Sequence, residues 1–422
     1  MNRQSLPHIG VIVRANRGIG TGHLMRVKCV LPRLAEHAFL ELFVYAFDEA
    51  LRPMCSEYDA VHVFDTRDDV LEHLRALAHD DSARTAASTA AADEAAAAGT
   101  AAAVGTAAAD AEGQRLPDVL IIDDYAIDEA FESELYDHTR IFVIDDLCDR
   151  RHRCHMLLDQ TLITREEGYA KLCNEDCQLL LGSRYSFTAD HFYPQNYPLD
   201  YRSTCTCGAH HFPLSGRALW GKSKEQLISM PASCLCQDGQ TQGLPRVFVS
   251  FGGADPVSAC LNVCRSVIAE GLHRSYSFTV LAGAANKDYQ QLLALAAALP
   301  PDEKRNLLII HHCNDVADLL FRHDLALGAY GGMFRERIAA ALPTAGVEIA
   351  DNQEGAAFIV SKFELGVSLT MEQLKDGKAI RAALDDLMEN SSTYSRNCLK
   401  VYDGEGLNRI AAALLSLLPC CA

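Results

Sequence analysis

Short apolar runs alternate with helical stretches along this chain, and the whole alternation occurs twice. Residues 11–13, 42–46, 61–64, 119–122 and 141–144 make up the first series of runs. Residues 247–250, 278–281, 307–310, 325–327 and 347–349 make up the second. Runs this short, apolar on both faces, suit buried parallel strands, because helices cover both sides of such a sheet. Residues 24–35 and 70–78 carry helical spacing between them. The order predicts an α/β protein of two doubly wound, Rossmann-like units. A length of 422 residues also suits two domains rather than one. The expected organisation is an N-terminal Rossmann-like domain over 1–195, an insertion and linker over 196–245, and a nucleotide-binding Rossmann-like domain over 246–422.

Two segments interrupt the pattern. Residues 82–113 are almost entirely alanine with scattered Thr, Ser, Gly and Asp, which predicts a flexible or loosely helical insertion with no part in the chemistry. Residues 196–245 hold Cys205, Cys207, His210, His211, Cys234 and Cys236. Cysteine and histidine are zinc ligands, but C-x-C is not the usual structural-zinc spacing, so this segment reads as an inserted loop near the linker.

The net charge of -18 argues against wrapping nucleic acid or docking on an anionic membrane, both of which need a basic face. A phosphate ligand stays open, since it needs only backbone N–H groups and a helix N-terminus. No run of about 18 apolar residues predicts a membrane span. The start of the chain lacks the pattern of a signal peptide, which predicts a cytoplasmic protein. Its sixteen cysteines are then expected to be reduced rather than paired.

In doubly wound sheets ligands bind outside the carboxyl ends of the strands, so the loops after these runs hold the candidate residues. After the first run come Arg14, Gly18, Gly20, Gly22, His23 and Arg26. Glycines there let the backbone turn tightly and approach a ligand, and the following helix start favours an anion. A histidine at that point suits proton transfer near neutral pH, although a simple helix-capping turn accounts for the same spacing. The spacing G-x-G-x-G is not a dinucleotide fingerprint.

The second series opens on Phe251, Gly252, Gly253, Ala254, Asp255 and Pro256. Its glycine amides suit a phosphate or sugar, and Asp255 with Pro256 suits an N-cap followed by the first helical position. A third loop holds Gly331 and Gly332, with Glu336 about one turn into the next helix. Such amides suit a diphosphate, and such a carboxylate suits ribose hydroxyls. Arg335 and Arg337 read as exposed helix arginines. A fourth loop carries Asp351, Asn352 and Gln353, whose amides suit sugar hydroxyls or an N-acetyl group. The pairs Asp123–Asp124 and Asp145–Asp146 each close a strand. Neighbours on an extended chain face opposite ways, so a pair does not chelate as a unit, and most of these carboxylates are expected to bond their own loops.

Taken together in this order, the motifs resemble those of the UDP-sugar hydrolases of the pseudaminic acid pathway. They are similar too to the related spore-coat polysaccharide proteins, cousins of the lipid-linked GlcNAc transferase of peptidoglycan synthesis. The shared features are Arg14 through Gly20, Gly22, His23 and Arg26; Asp123 with Tyr125; and Asp145–Asp146, followed by His152, Cys154 and Gln160. Gly182 with Tyr185, the stretch Phe251 to Pro256, the Gly331–Glu336 helix start and Asp351–Asn352–Gln353 complete the set. The resemblance spans nearly the whole chain apart from the two insertions. It implies a GT-B architecture, two Rossmann-like domains facing a cleft, and hydrolysis of a UDP-activated amino sugar at the anomeric carbon with no metal or cofactor. His23 would be the base, Glu336 with Gly331 and Gly332 would hold UDP, and Asn352 and Gln353 would contact the nucleotide-sugar. Alternatives of the same fold are a glycosyltransferase and a nucleotide-sugar-binding protein without catalysis. Departures from the family pattern are His155 for Asp, Asp159 for Asn, Ala189 for Arg, His191 for Glu, and Tyr330 where Ser or Thr is usual.

Overall fold

The computed structural model describes residues 3–16, 22–97, 114–194, 244–311, 313, 315–350 and 353–419. The chain divides into two compact units, Met1–Phe187 with Gly406–Ala422, and Thr188–Glu405.

The first unit is built on a seven-stranded sheet: β1 (His8–Arg14), β2 (Phe39–Tyr45), β3 (Ala60–Phe64), β4 (Val119–Asp123), β5 (Arg140–Ile144), β6 (Met156–Asp159) and β7 (Gln178–Leu181). All pairings are parallel and the spatial order is 3-2-1-4-5-6-7. The order reverses between β1 and β4, which fixes the topological switch point. Alternate residues of β1 serve two cores, as the both-sides-buried reading requires. Ile9, Val11 and Val13 pack with Leu24 and Val27, while Ile12 packs with Val70 and Leu74 on the other face.

The second unit repeats the design with six parallel strands: β8 (Arg246–Ser250), β9 (Ser277–Leu281), β10 (Leu307–Ile310), β11 (Leu325–Ala329), β12 (Thr344–Val347) and β13 (Gly366–Leu369). Their order is 10-9-8-11-12-13, so the switch point lies between β8 and β11. Val247, Val249, Phe278 and Leu327 share a core with Cys260, Val263, Ile380 and Leu384 from the covering helices.

Several local expectations change. The stretch read as one helix over 24–35 is two, Gly22–Lys28 and Leu31–Leu34, because Pro32 in the first turn of the second lacks the N–H that would continue the first. Helix Arg67–Ala97 runs into the alanine-rich segment as far as residue 97. The strand expected over 347–349 instead ends at Val347. The C-terminal helix Gly406–Leu417 belongs to the first unit, where the sequence predicts a second domain running over 246–422. Leu407, Ile410, Ala411 and Leu414 lie on one helical face and enter the first core. The cysteine- and histidine-containing segment from 205 to 236 falls outside the described residues. No described helix is long and apolar enough to cross a membrane.

Candidate functional site

The β1 register places Val13 opposite Asp123, the last residue of β4. Asp123 therefore stands at the mouth of the loop that follows β1, fully buried. Helix Gly22–Lys28 starts at that mouth and presents His23 and Arg26, three residues apart, on one face. His23 Nδ1 lies 2.7 Å from Asp123 Oδ1. Arg26 Nε donates to Asp123 Oδ2 at 2.9 Å, and its Nη2 to Oδ1. The guanidinium continues outward, Nη1 donating to Asp146 Oδ2 at 2.9 Å, and the Tyr125 hydroxyl closes the network by donating to Asp146 Oδ1. Tyr125 packs edge-on against the His23 ring, centroids 4.8 Å apart.

This arrangement fixes the imidazole. A carboxylate only accepts, so the short contact assigns the proton to Nδ1 and leaves the Nε2 lone pair free. Arg26 Nη2 is 3.3 Å from the same Nδ1, but it too is a donor and cannot replace the carboxylate. The His23 side chain is 17% exposed, so the ring is packed but not sealed off. Burial alone would push the Asp123 carboxyl up; Arg26 and the hydrogen bonds from His23 and Arg26 outweigh it and hold it below the ordinary carboxylate range. Burial likewise opposes the Arg26 charge, and Asp123 with Asp146 reverses the sign and strengthens it. The result is a largely buried cluster in which one guanidinium pairs with two carboxylates, and among the described residues the His23 Nε2 has no hydrogen-bond partner.

Each acidic pair splits between two sides, and two of the four carboxylates, not most, hold loops. Asp123 and Asp146 join the histidine network, while Asp124 and Asp145 hold loops. Asp124 accepts from the Tyr45 hydroxyl and lies 3.8 Å from Arg14. Asp145 accepts from Arg150 at 2.6 Å and Tyr169 at 2.9 Å. Arg14, expected in the loop after the first run, is instead the last residue of β1 and lies beside Asp124, not in the His23 cluster. Gly22 is the first helical residue, and space is open where a Cβ would stand. Gly20 and Asn352 fall outside the described residues. Asp123 and Asp146 are site members that residue type alone does not single out; their signal is position, since Asp123 closes β4 at the switch point and Asp146 lies two residues past β5, the next strand.

In the second unit the loops after β8, β11 and β12 occupy the equivalent edge. Gly252 has φ +90°, a left-handed conformation that favours glycine. Gly253 packs so closely on Gly283 that a Cβ at 283 would sit 2.2 Å from the Gly253 carbonyl oxygen. Gly283→Ala is therefore expected to displace this turn and cost about 1–3 kcal/mol, measured by urea unfolding; an unchanged midpoint would show that the turn gives way freely. The cap expected at Asp255–Pro256 is different in detail. The helix begins at Ala259, after a turn through Ser258 at φ 57°, and Asp255 reaches forward to accept from Ala259 N and Cys260 N, both at 2.8 Å. Pro256 lies in that turn and not at the first helical position.

Gly331 precedes, and Gly332 begins, helix Gly332–Ala339. Gln353 Nε2 would lie 3.7 Å from a Cβ at Gly331, and its Oε1 accepts from Ile349 N at 3.1 Å, so the β12 loop is tied beside the β11 loop. Glu336 is half-buried with no side-chain hydrogen bond among the described residues. Burial holds its carboxyl above the ordinary range, against the pull of Arg335 and Arg337. Arg337 corrects the expectation of an exposed arginine: it is wholly buried, donates to the Ala329 carbonyl, and burial lowers it to about 10. It fits because residue 328 is glycine; a Cβ there would lie 2.4 Å from Arg337 Nη1.

The departures have local explanations. His155 Nδ1 accepts from Ile141 N at 3.1 Å and its ring stacks on Tyr136, so it is a strand-end residue. Asp159 accepts from Thr161 N at 2.8 Å, and burial raises its carboxyl. Ala189 precedes a short helical turn in which His191 lies against Phe192. Tyr330 fills the space over Gly346 and bonds Ser368 through its hydroxyl at 2.6 Å.

No family model and no curated protein matches the chain. Solved structures do. MurG from Acinetobacter baumannii superposes with TM-score 0.57 at 8% identity, covering 97% of this chain and 99% of its own. The UDP-GlcNAc 2-epimerase from Methanocaldococcus jannaschii gives 0.55 at 10% identity, covering 97% and 99%. The UDP-GlcNAc 2-epimerase from Neisseria meningitidis, bound to UDP-GlcNAc, gives 0.54 at 11%, covering 97% and 100%. At these identities the likeness concerns the fold: the chain is a two-domain α/β protein of the GT-B kind.

Proposed function

We propose that this protein is an enzyme acting on a UDP-activated amino sugar, hydrolysing it at the anomeric carbon. The carrying observation is His23, whose Nδ1 is bonded to a buried carboxylate and whose Nε2 is free at the switch point of the first sheet. In the proposed step Nε2 takes a proton from water, the water oxygen bonds to the anomeric carbon, and the bond from that carbon to the UDP oxygen breaks with its electron pair leaving on UDP. Asp123 orients the imidazole and stabilises its positive charge as it forms, while Arg26 fixes the Asp123 carboxylate. In the second unit, the Gly331 and Gly332 amides suit the diphosphate and Glu336 the ribose hydroxyls, with Gln353 beside them. The neighbours' printed names, with a bound UDP-GlcNAc in one, support a nucleotide-sugar of this class. Gly22, Tyr125, Gly252 and Gly253 line the same two edges.

The test is UDP release from UDP-2,4-diacetamido-2,4,6-trideoxy-β-L-altropyranose, with no acceptor but water. Release that appears only on adding a sugar or lipid acceptor would make the protein a transferase. UDP binding with no turnover under either condition would reduce it to a binding protein.

Glu336→Gln separates the nucleotide site from the base. UDP affinity is expected to fall about tenfold through loss of charged hydrogen bonds. Stability should move the other way. A carboxyl whose folded value is raised costs nothing below its unfolded value and costs most once pH rises past the folded one. The variant should therefore melt higher than wild type at pH 7 and equally near pH 4. An unchanged UDP affinity by calorimetry would remove Glu336 from the nucleotide site.

A further inference from the structure

At the opposite ends of β6 and β7 from the loops described above, three cysteines converge. Cys154 precedes β6 by two residues, Cys177 immediately precedes β7, and Cys173 caps helix Glu166–Leu172. Their Sγ atoms all lie within 4.8 Å of one another, with Cys154 and Cys177 3.5 Å apart. A tetrahedral zinc with bonds of about 2.3 Å spaces its sulfurs by about 3.8 Å. The three are free thiols, so their closeness is not that of a disulfide. Asn174 maintains it, accepting from Cys154 N through its side chain and from Cys177 N through its carbonyl, each at 3.0 Å.

A fourth donor stands on the same side. His152 is two residues from Cys154 and pairs with Cys173 in an isolated parallel bridge. Alternation along the chain and pairing across it direct the three side chains to one face. The His152 side chain is wholly buried; Nδ1 lies 2.8 Å from Glu132 Oε1, and Nε2 has no hydrogen-bond partner. Glu132 is wholly buried too, its other oxygen accepting from Arg153 N. A carboxylate on one ring nitrogen, with the other left bare, is how proteins orient a metal-binding histidine.

We propose that Cys154, Cys173 and Cys177 bind a zinc ion, with His152 Nε2 as the fourth ligand. His152 stands outside the 4.8 Å thiol group, and the ion draws its ring in as the thiols lose their protons to solvent. Three soft thiolates and an imidazole with no open position make a structural centre rather than a catalytic one. The ion would clamp β7, the four-residue edge strand, to β6 and to the helix between them. The proposal stands or falls independently of the role given to His23.

The experiment uses the full chain, purified under reducing conditions, with Cys205, Cys207, Cys234 and Cys236 replaced by serine so that the other cysteine-rich segment contributes nothing. After loading with zinc sulfate and desalting, metal is counted by mass spectrometry. About one zinc per chain is expected, falling at least tenfold in Cys154→Ser and Cys177→Ser, while Glu132→Gln weakens affinity about 10–100-fold. Absence of zinc from the four-serine protein, or equal zinc in Cys177→Ser, overturns the proposal. So does a Cys154–Cys177 disulfide in the metal-free, thiol-blocked protein. Should the single variants not fold, cobalt loading of the four-serine protein decides. Thiolate-to-cobalt charge transfer with tetrahedral bands supports the site, and a weak octahedral spectrum refutes it.

Discussion

His23→Ala is expected to slow UDP release by about 10²–10⁴-fold, the range a positioned general base supplies. The effect should fall on kcat, because the ring contributes a proton acceptor and the nucleotide is assigned to loops of the second unit. UDP affinity measured by calorimetry should stay within about twofold, well inside the 1.4 kcal/mol that a tenfold change represents. Asp123 keeps both bonds from Arg26 in this variant, so the fold has no new unpaired charge to accommodate. Wild type and variant releasing UDP at the same background rate would exclude His23 as the base for that substrate.

Asp123→Asn should harm both rate and stability. An amide can no longer select one tautomer of His23, because it offers a donor as readily as an acceptor. A comparable change in a serine-protease triad costs about 10⁴-fold in rate, which sets the upper limit here. The same change leaves the buried Arg26 guanidinium with Asp146 as its only remaining carboxylate. Breaking one side of a buried ion pair costs about 3–5 kcal/mol, and the surviving Asp146 bond places the expectation at the lower end. The pH dependence follows from the direction of the shift. A carboxyl held low in the fold adds stability above its unfolded value, about 3.9, and loses it as pH falls through the folded value. The gap between wild type and Asp123→Asn in urea unfolding should be widest near neutrality and shrink below about pH 4. Equal midpoints at pH 7 would show that the cluster does not bear on stability.

Much of the frame is legible in the sequence. The both-faces-apolar pattern holds in β1, where Val11 and Val13 face one core and Ile12 the other, but the expected buried strands over 61–64 and 307–310 are sheet edges that leave Val63 and Leu308 exposed. The glycine-rich loops after the first strand of each series, and after the fourth strand of the second, were located by the same logic. The four-residue strands β6, β7 and β13 were harder to see. Each holds a run of three apolar residues or fewer, too short to be told from a turn or a helix end. The helix Gly406–Leu417 has a clear apolar face, but a face does not announce which core it will enter.

The sequence by itself determined the strand–helix alternation, the positions of the turns and the residue types gathered at strand ends, because these depend on contacts within a few residues. Pairings over long separations were decided only in the folded chain. Asp123 meets His23 and Arg26 across about a hundred residues, and Arg337 is buried because Gly328, nine residues earlier, leaves it room. Cys154, Cys173 and Cys177 come together because β6 and β7 lie side by side. Side-chain periodicity specifies which face is apolar; strand order and register choose which polar groups share the space at its end.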